Sequence, residues 1–289
     1  MTTVKLNKYI VLFLMVLFCS CIKAKYDDDF VPGDPLPPAG GYNSSDEVFK
    51  KFLVSYWNFD DNNNETISNT APTQTANAAT VDGGIRGKAL SLNGGYVYFT
   101  KQFDAFKTTV FKSWSISVWI KVKNNGSKRT MVLQLARKDT TAPGCINFTL
   151  NTNGFPASND SVLRINPTFT TVTAGTQDNL NNVLDKTNLN NWNHIVLTYD
   201  GTTGVFDNWL NGIKVGNFPN RGTGNSLFNA FEPNEIIIGS NYNGIPGKVP
   251  GADANVAPMT GMIDDLRVFN RPLSSANIKA LYYLGKDQK

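Results

Sequence analysis

Beyond its aspartates, this 289-residue sequence offers little for proton transfer or nucleophilic attack: four glutamates (Glu47, Glu65, Glu232, Glu235), one histidine (His194) and three cysteines. Retaining glycoside hydrolysis needs two carboxylates about 5–5.5 Å apart, one with a raised pKa. Glu232 and Glu235 are the one close glutamate pair, but an offset of three puts them on opposite faces of a strand, and Pro233 interrupts it. His194 has no Gly-x-Ser-x-Gly elbow to serve, and Cys145 has no second histidine to activate it, so both read as packing residues. Phosphate-cradling loops, zinc-type Cys/His spacings and basic aromatic stripes are absent. A formal charge of +4 is too weak to argue for nucleic acid. The chemistry left is binding, and the expectation is a protein that is not an enzyme.

The elements that must position a binding site are strands. Hydrophobic residues make up 41% of the chain and charged residues 17%, with 24 Gly and 14 Pro, the balance of a β-rich protein with many turns. From Val48 onward, short alternating runs are separated by Asn, Gly, Asp and Pro clusters, the pattern of a sandwich. The runs expected as strands include 53–60, 88–92, 96–99, 113–121, 129–137, 147–150, 193–200, 205–210, 214–218, 235–239 and 262–269. In the fourth, Trp114, Ile116, Val118 and Ile120 share one face. Asn211-Gly212 between two runs predicts a type I′ hairpin. One helix is expected over Ser274–Leu284, with Gly285 as its left-handed C-cap. Two stretches, 138–190 and 240–261, exceed ordinary hairpin connections and are candidate functional loops.

The first 21 residues read as an address. Lys5 and Lys8 precede an apolar run of nine, Ile10–Phe18. Nine helical residues span about 14 Å, short of a ~30 Å bilayer core, so the run is a signal-peptide core. Ser20-Cys21 resembles the lipobox of bacterial lipoproteins, with Cys21 as the lipidated residue; an ordinary secretory signal cut nearby is the alternative. Residues 22–47 read as a flexible Pro/Gly/Asp tether, and residues 48–289 as one domain. Lys25 followed by Asp27-Asp28-Asp29 resembles the surface-export signal of some Gram-negative lipoproteins, which implies a lipid-anchored, surface-exposed outer-membrane location; a solvated linker is the plainer reading.

Several segments carry a wider resemblance. Val54-Ser-Tyr-Trp-Asn-Phe-Asp60, Gly87-Lys-Ala-Leu-Ser-Leu-Asn93, Trp114-Ser-Ile-Ser-Val-Trp-Ile-Lys121, Asn191-Trp-Asn-His-Ile-Val-Leu-Thr-Tyr-Asp-Gly201 and Gly261-Met-Ile-Asp-Asp-Leu-Arg-Val-Phe-Asn-Arg-Pro-Leu-Ser274 occur in one order. Together they resemble laminin-G/pentraxin-like domains of the concanavalin A-type lectin/glucanase group. The resemblance implies an all-β, two-sheet antiparallel jelly-roll sandwich with one short C-terminal helix. The group's glucanases carry a Glu-x-Asp-x-x-Glu-like run on one strand, which this chain lacks. Such domains often hold a structural Ca²⁺ between N- and C-terminal segments, which points to Asp60 and Asp264 as ligands; an Asx turn plus a hydrogen-bonded Asp is the alternative. Trp57, Trp114, Trp119 and Trp192 fall in core motifs. Trp209, next to the Asn-Gly turn, and Tyr242, in the second long loop, are the candidate ligand-binding aromatics, with cross-strand packing and loop anchoring as the plainer readings. The reading is a glycan- or polysaccharide-binding surface lipoprotein, or alternatively a protein-adhesion module docking to an outer-membrane partner.

Overall fold

The computed structural model describes residues 39–289 apart from 102, 138–143, 173–174, 180–184, 222–230 and 249–254. The leader 1–21, the proposed lipidation residue Cys21 and the larger part of the tether lie outside the described residues.

The strands are β1 (Leu53–Trp57), β2 (Gln74–Asp82), β3 (Lys88–Phe99), β4 (Trp114–Val122), β5 (Arg129–Ala136) and β6 (Ile146–Leu150). There follow β7 (Val162–Leu163), β8 (Thr168–Thr171), β9 (Gly175–Asp178), β10 (Asp185–Lys186), β11 (Asn193–Asp200) and β12 (Val205–Leu210). The last are β13 (Ile213–Phe218), β14 (Glu235–Ile238), β15 (Val256–Pro258) and β16 (Thr260–Phe269), ahead of the helix α1 (Ser275–Lys286). Hydrogen bonding runs β13-β12-β11-β4-β16-β3-β14-β5-β6-β8-β9, with β1 on β16, β2 on β3 and β15 on β5. Nearly all these pairs are antiparallel; β15 and β5 run parallel. The sheet curls on itself as a jelly-roll sandwich, with Trp114, Ile116, Val118 and Ile120 of β4 facing Val97, Leu133, Phe148 and Ile238 in one core.

The outer face of β4 is covered as well. Ser115, Ser117 and Trp119 are buried because α1 and residues 42–53 lie over that face, giving a second cluster around Val196, Trp209, Phe269, Ile278 and Leu281. Ser274 caps α1 by accepting the Asn277 N–H at 3.3 Å, as the Ser-rich start predicts. Gly285 is not a left-handed cap. The helix runs on through Lys286, and a Cβ at Gly285 would lie 2.6–2.8 Å from the Trp119 indole, so the residue is there for close approach.

Residues 39–47, expected to belong to the tether, pack on the domain. Tyr42 Oη donates to Asn277 Oδ1 at 3.2 Å, and the Ser45 N–H donates to the Lys289 carbonyl at 3.0 Å. Asp46 pairs with Arg86 at 2.8 Å and with the buried Arg267 at 3.0 Å. A buried guanidinium is costly unless paired, and Asp46 shares that pairing with Asp265, which ties the segment around residue 46 to the sheet.

Candidate functional site

Asn193, the first residue of β11, organises the loop before it. Its side-chain carbonyl accepts from Thr187 Oγ1 (2.6 Å) and Asn211 Nδ2 (3.1 Å), and its amide donates to the carbonyls of Asn188 (2.9 Å) and Asn191 (3.0 Å). All four polar positions are used, so a buried amide holds the Thr187–Trp192 loop in one conformation. Asn211 sits at the β12–β13 turn, where Asn211 (φ 50°) and Gly212 (φ 79°) both adopt the positive φ that a type I′ turn demands.

This loop, the Asn-Gly turn and the C-terminal half of α1 enclose a hollow of about 410 Å³. Trp192 and Tyr282 are half-buried in its lining, with Asn188, Asn191 and Lys286 exposed around them. Trp192 is oriented by its Nε1–H, which donates to the Gly83 carbonyl at 3.2 Å, and by the Lys121 ammonium 4.9 Å from its ring centre. Tyr282 stacks on Trp119 (5.8 Å, 16°) and lies nearly parallel to the His194 ring (6.3 Å, 22°). Beneath them His194 is fully buried and bonded through Nε2 to Ser117 Oγ at 2.8 Å. Burial, helped by the Arg267 charge, pulls its pKa down to about 3, so the imidazole is neutral and packs behind the Trp119 ring. Indole and phenol rings beside side-chain amides and an ammonium are the groups that bind a pyranose: a flat apolar face for the C–H side of the ring, and planar donors and acceptors for its hydroxyls.

Across the loop lies a cleft of about 450 Å³ between the end of β4, the turn at 157–160 and the start of β16. Lys121, Lys123, Asn124, Asp160, Asn190 and Thr260 line it. Its walls are tied together: Asn124 Nδ2 donates to the Asn159 carbonyl at 2.7 Å, and the Lys123 N–H to the Thr260 carbonyl at 3.0 Å.

A family model described as the concanavalin A-like lectin/glucanases superfamily, laminin G 3, matches residues 93–279. The chain belongs to this family. No curated protein matches the sequence. Domain 4 of AbnA, a GH43 extracellular arabinanase from Geobacillus stearothermophilus solved with arabinotriose, superposes with TM-score 0.54 at 19% identity, over 80% of this chain and 98% of that one. The binding domain of Paraclostridial Mosquitocidal Protein 1 gives 0.56 at 15% identity, over 81% of this chain and 52% of its own. Trypanosoma rangeli sialidase gives 0.58 at 17% identity, over 89% of this chain but 36% of the sialidase. At these identities the likeness establishes a shared fold.

Within this laminin G-type domain, the two aromatics singled out from sequence are not brought together: they lie buried in separate clusters. Trp209 lies opposite Val196, on the outer sheet face as expected, but that face is covered by α1 and the residue is 8% exposed. Tyr242 packs in a separate cluster with Tyr96, Tyr98, Ile237 and Ile245. Its hydroxyl donates to Glu235 Oε2 (2.5 Å) and lies 3.1 Å from the Arg137 carbonyl, which pins the turn at 242–244 to the sheet. Trp57, Trp114 and Trp119 are buried, as core motifs require. Trp192 is not, and the sequence held a signal for it: it stands one residue before β11, amid Asn188, Asn190 and Asn191.

The two glutamates of the 232–235 pair face different partners. Glu232 accepts the Thr108 N–H at 3.1 Å, whereas Glu235 is buried beneath the Tyr98 and Tyr242 hydroxyls and pairs with Lys248 at 3.4 Å. Cys145 is buried, and burial pushes its thiol up to about 12, far from a reactive thiolate.

Asp60 and Asp264 do converge, on the turn between β2 and β3. Asp60 Oδ1 accepts the Lys88 N–H at 2.9 Å; Asp264 Oδ2 accepts those of Ile85 (2.8 Å) and Arg86 (3.2 Å). Asp264 is fully buried, and burial followed by the neighbouring Asp265 charge raises its pKa to about 8. Arg86 and Arg267 pair instead with Asp265. The donor set suits a hard cation, with Asp264 lacking an ionic partner among the described residues. No cluster of three or more His, Cys, Asp or Glu side chains occurs among the described residues, so carbonyl or amide oxygens would have to complete the shell.

Proposed function

We propose that this domain binds carbohydrate without cleaving it, through the hollow lined by Trp192 and Tyr282. The observation that carries this reading is the meeting of two half-buried aromatic rings with the exposed amides of Asn188 and Asn191 in one preformed hollow. The arabinotriose complex of the AbnA domain supports it by showing that a domain of this shape takes a saccharide. Binding without catalysis is supported by the engagement of Glu232 and Glu235 with separate partners and by the burial of His194 and Cys145. A glycan array followed by calorimetry tests the proposal; the expected result is a saccharide bound by the wild-type chain and lost with Trp192→Ala.

The same proposal includes an outer-membrane, surface-exposed location through lipid on Cys21, tested by incorporation of labelled palmitate and by protease shaving of intact cells. It also includes a Ca²⁺ held by Asp60 and Asp264, whose part would be to fix the 84–88 turn. A protein partner is the second reading, favoured by Ile213, 67% exposed on the edge strand β13, and by Tyr283, 50% exposed on α1. Pull-down of an outer-membrane protein that sugars do not compete away would favour it.

A further inference from the structure

We infer that the cleft across the Thr187–Trp192 loop binds the oxyanion of an acidic saccharide, a uronate carboxylate or a sulfate, through Lys121 and Lys123. This rests on the carbohydrate-binding reading and extends it to the class of ligand. Ile120 and Val122 point into the core, so the period-2 alternation turns Lys121 and Lys123 to the opposite side, about 6.6 Å apart along the chain. Neither ammonium pairs with a carboxylate among the described residues. What touches Lys121 is the Trp192 ring, and Trp192 is the same side chain that lines the aromatic hollow next door. A cation held over an aromatic face keeps its charge available, because the ring contributes no formal negative charge.

Among the described residues one acid, Asp160, lines the cleft beside the two lysines. Asp160 Oδ2 accepts from Asn190 Nδ2 at 2.8 Å, and the Asp160 carbonyl takes the Leu189 N–H at 2.7 Å. Asp160 thus holds the loop while keeping its charge, and two lysines against one carboxylate leave the cleft net positive. Asn124, only 2% exposed, fixes the far wall through the Asn159 carbonyl, and Thr260 Oγ1 accepts the Gly94 N–H at 3.1 Å. A cleft held in shape by its own hydrogen bonds loses little entropy on binding. A saccharide stacked on Trp192 has its neighbouring unit within reach of Lys121, which makes hollow and cleft successive subsites of one chain.

The test is calorimetry of the full mature chain with polygalacturonate, chondroitin sulfate and neutral arabinan, at low salt and at high salt. Wild type is compared with Lys121→Gln/Lys123→Gln and with Trp192→Ala, all checked for an unchanged melting temperature. The expected result is tighter binding of an acidic polymer than of arabinan, weakened by salt and by about 10-fold per lysine removed, as for hydrogen bonds to charged groups. The uronate and sulfate arms identify which oxyanion is taken. Trp192-dependent binding of arabinan with no preference for either acidic polymer would overturn the acidic-ligand inference and leave carbohydrate binding standing. Failure of every polymer to bind would overturn both.

Discussion

The phenol ring of Tyr282 on α1 lies stacked over the indole of Trp119 in β4, centroids 5.8 Å apart and 16° from parallel. The contact exists because Gly285, one turn further on, lets the helix approach the sheet to within side-chain-free distance of the same indole. Gly285→Ala would gain up to about 1 kcal/mol of helix propensity. Against that, its methyl would sit less than 3 Å from Trp119, and overpacking costs about 1–3 kcal/mol. The expected outcome is net destabilisation by about 1–2 kcal/mol in urea titrations, together with a displaced Tyr282.

Trp209 and Trp192 should separate stability from binding. Trp209 is buried between β12 and α1, so Trp209→Ala is expected to cost about 3–5 kcal/mol of folding stability. Trp192 is half-buried at the rim, and its removal should leave the melting temperature within a few degrees while abolishing saccharide binding. Thermal unfolding of the two variants, read beside their calorimetry, checks both halves.

His194 sets an acid limit. Its folded pKa of about 3 lies below the ordinary 6.5, so between those values the unfolded chain binds the extra proton. Stability from this group is therefore complete above pH 6.5 and is lost as pH falls, by about 1.4 kcal/mol per unit. Asp264 works in the opposite sense, because its raised pKa makes the folded chain hold a proton the unfolded chain releases between about 4 and 8. Comparing wild type with His194→Gln isolates the histidine: denaturant midpoints at pH 7 and pH 5 should fall less in the variant.

Calcium addition should raise the melting temperature, and Asp264→Asn should remove that response. Unchanged unfolding of the wild type in millimolar Ca²⁺ and in chelator would set the cation aside, leaving Asp60 and Asp264 as clamps on the turn at 84–88.

Sequence patterning reached much of the fold because local rules agreed with the global ones. β11 and β12 span the residues that alternation marks, and Asn211-Gly212 makes the turn its φ preferences demand. β2 escaped notice because Gln74–Asp82 is Ala- and Thr-rich, carries little apolar bulk, and is a strand only through its pairing to β3. Within residues 138–190, β6 falls where the run 147–150 is expected, and β8 and β9 extend that end of the sheet from a Thr/Asn-rich stretch that gives no strand signal. Trp209 is buried for a tertiary reason. Whether an outward-facing Trp209 meets water depends on α1, some 65 residues away in sequence, lying across that face. The same helix brings Tyr282 beside Trp192, a pairing that periodicity in either segment does not reveal.

The most direct test of binding at the Trp192–Tyr282 hollow is calorimetry of the wild-type chain and Trp192→Ala against the best ligand from a glycan array. Saturable wild-type binding that disappears in a variant of unchanged melting temperature is the predicted result. Equal binding by both proteins would contradict it.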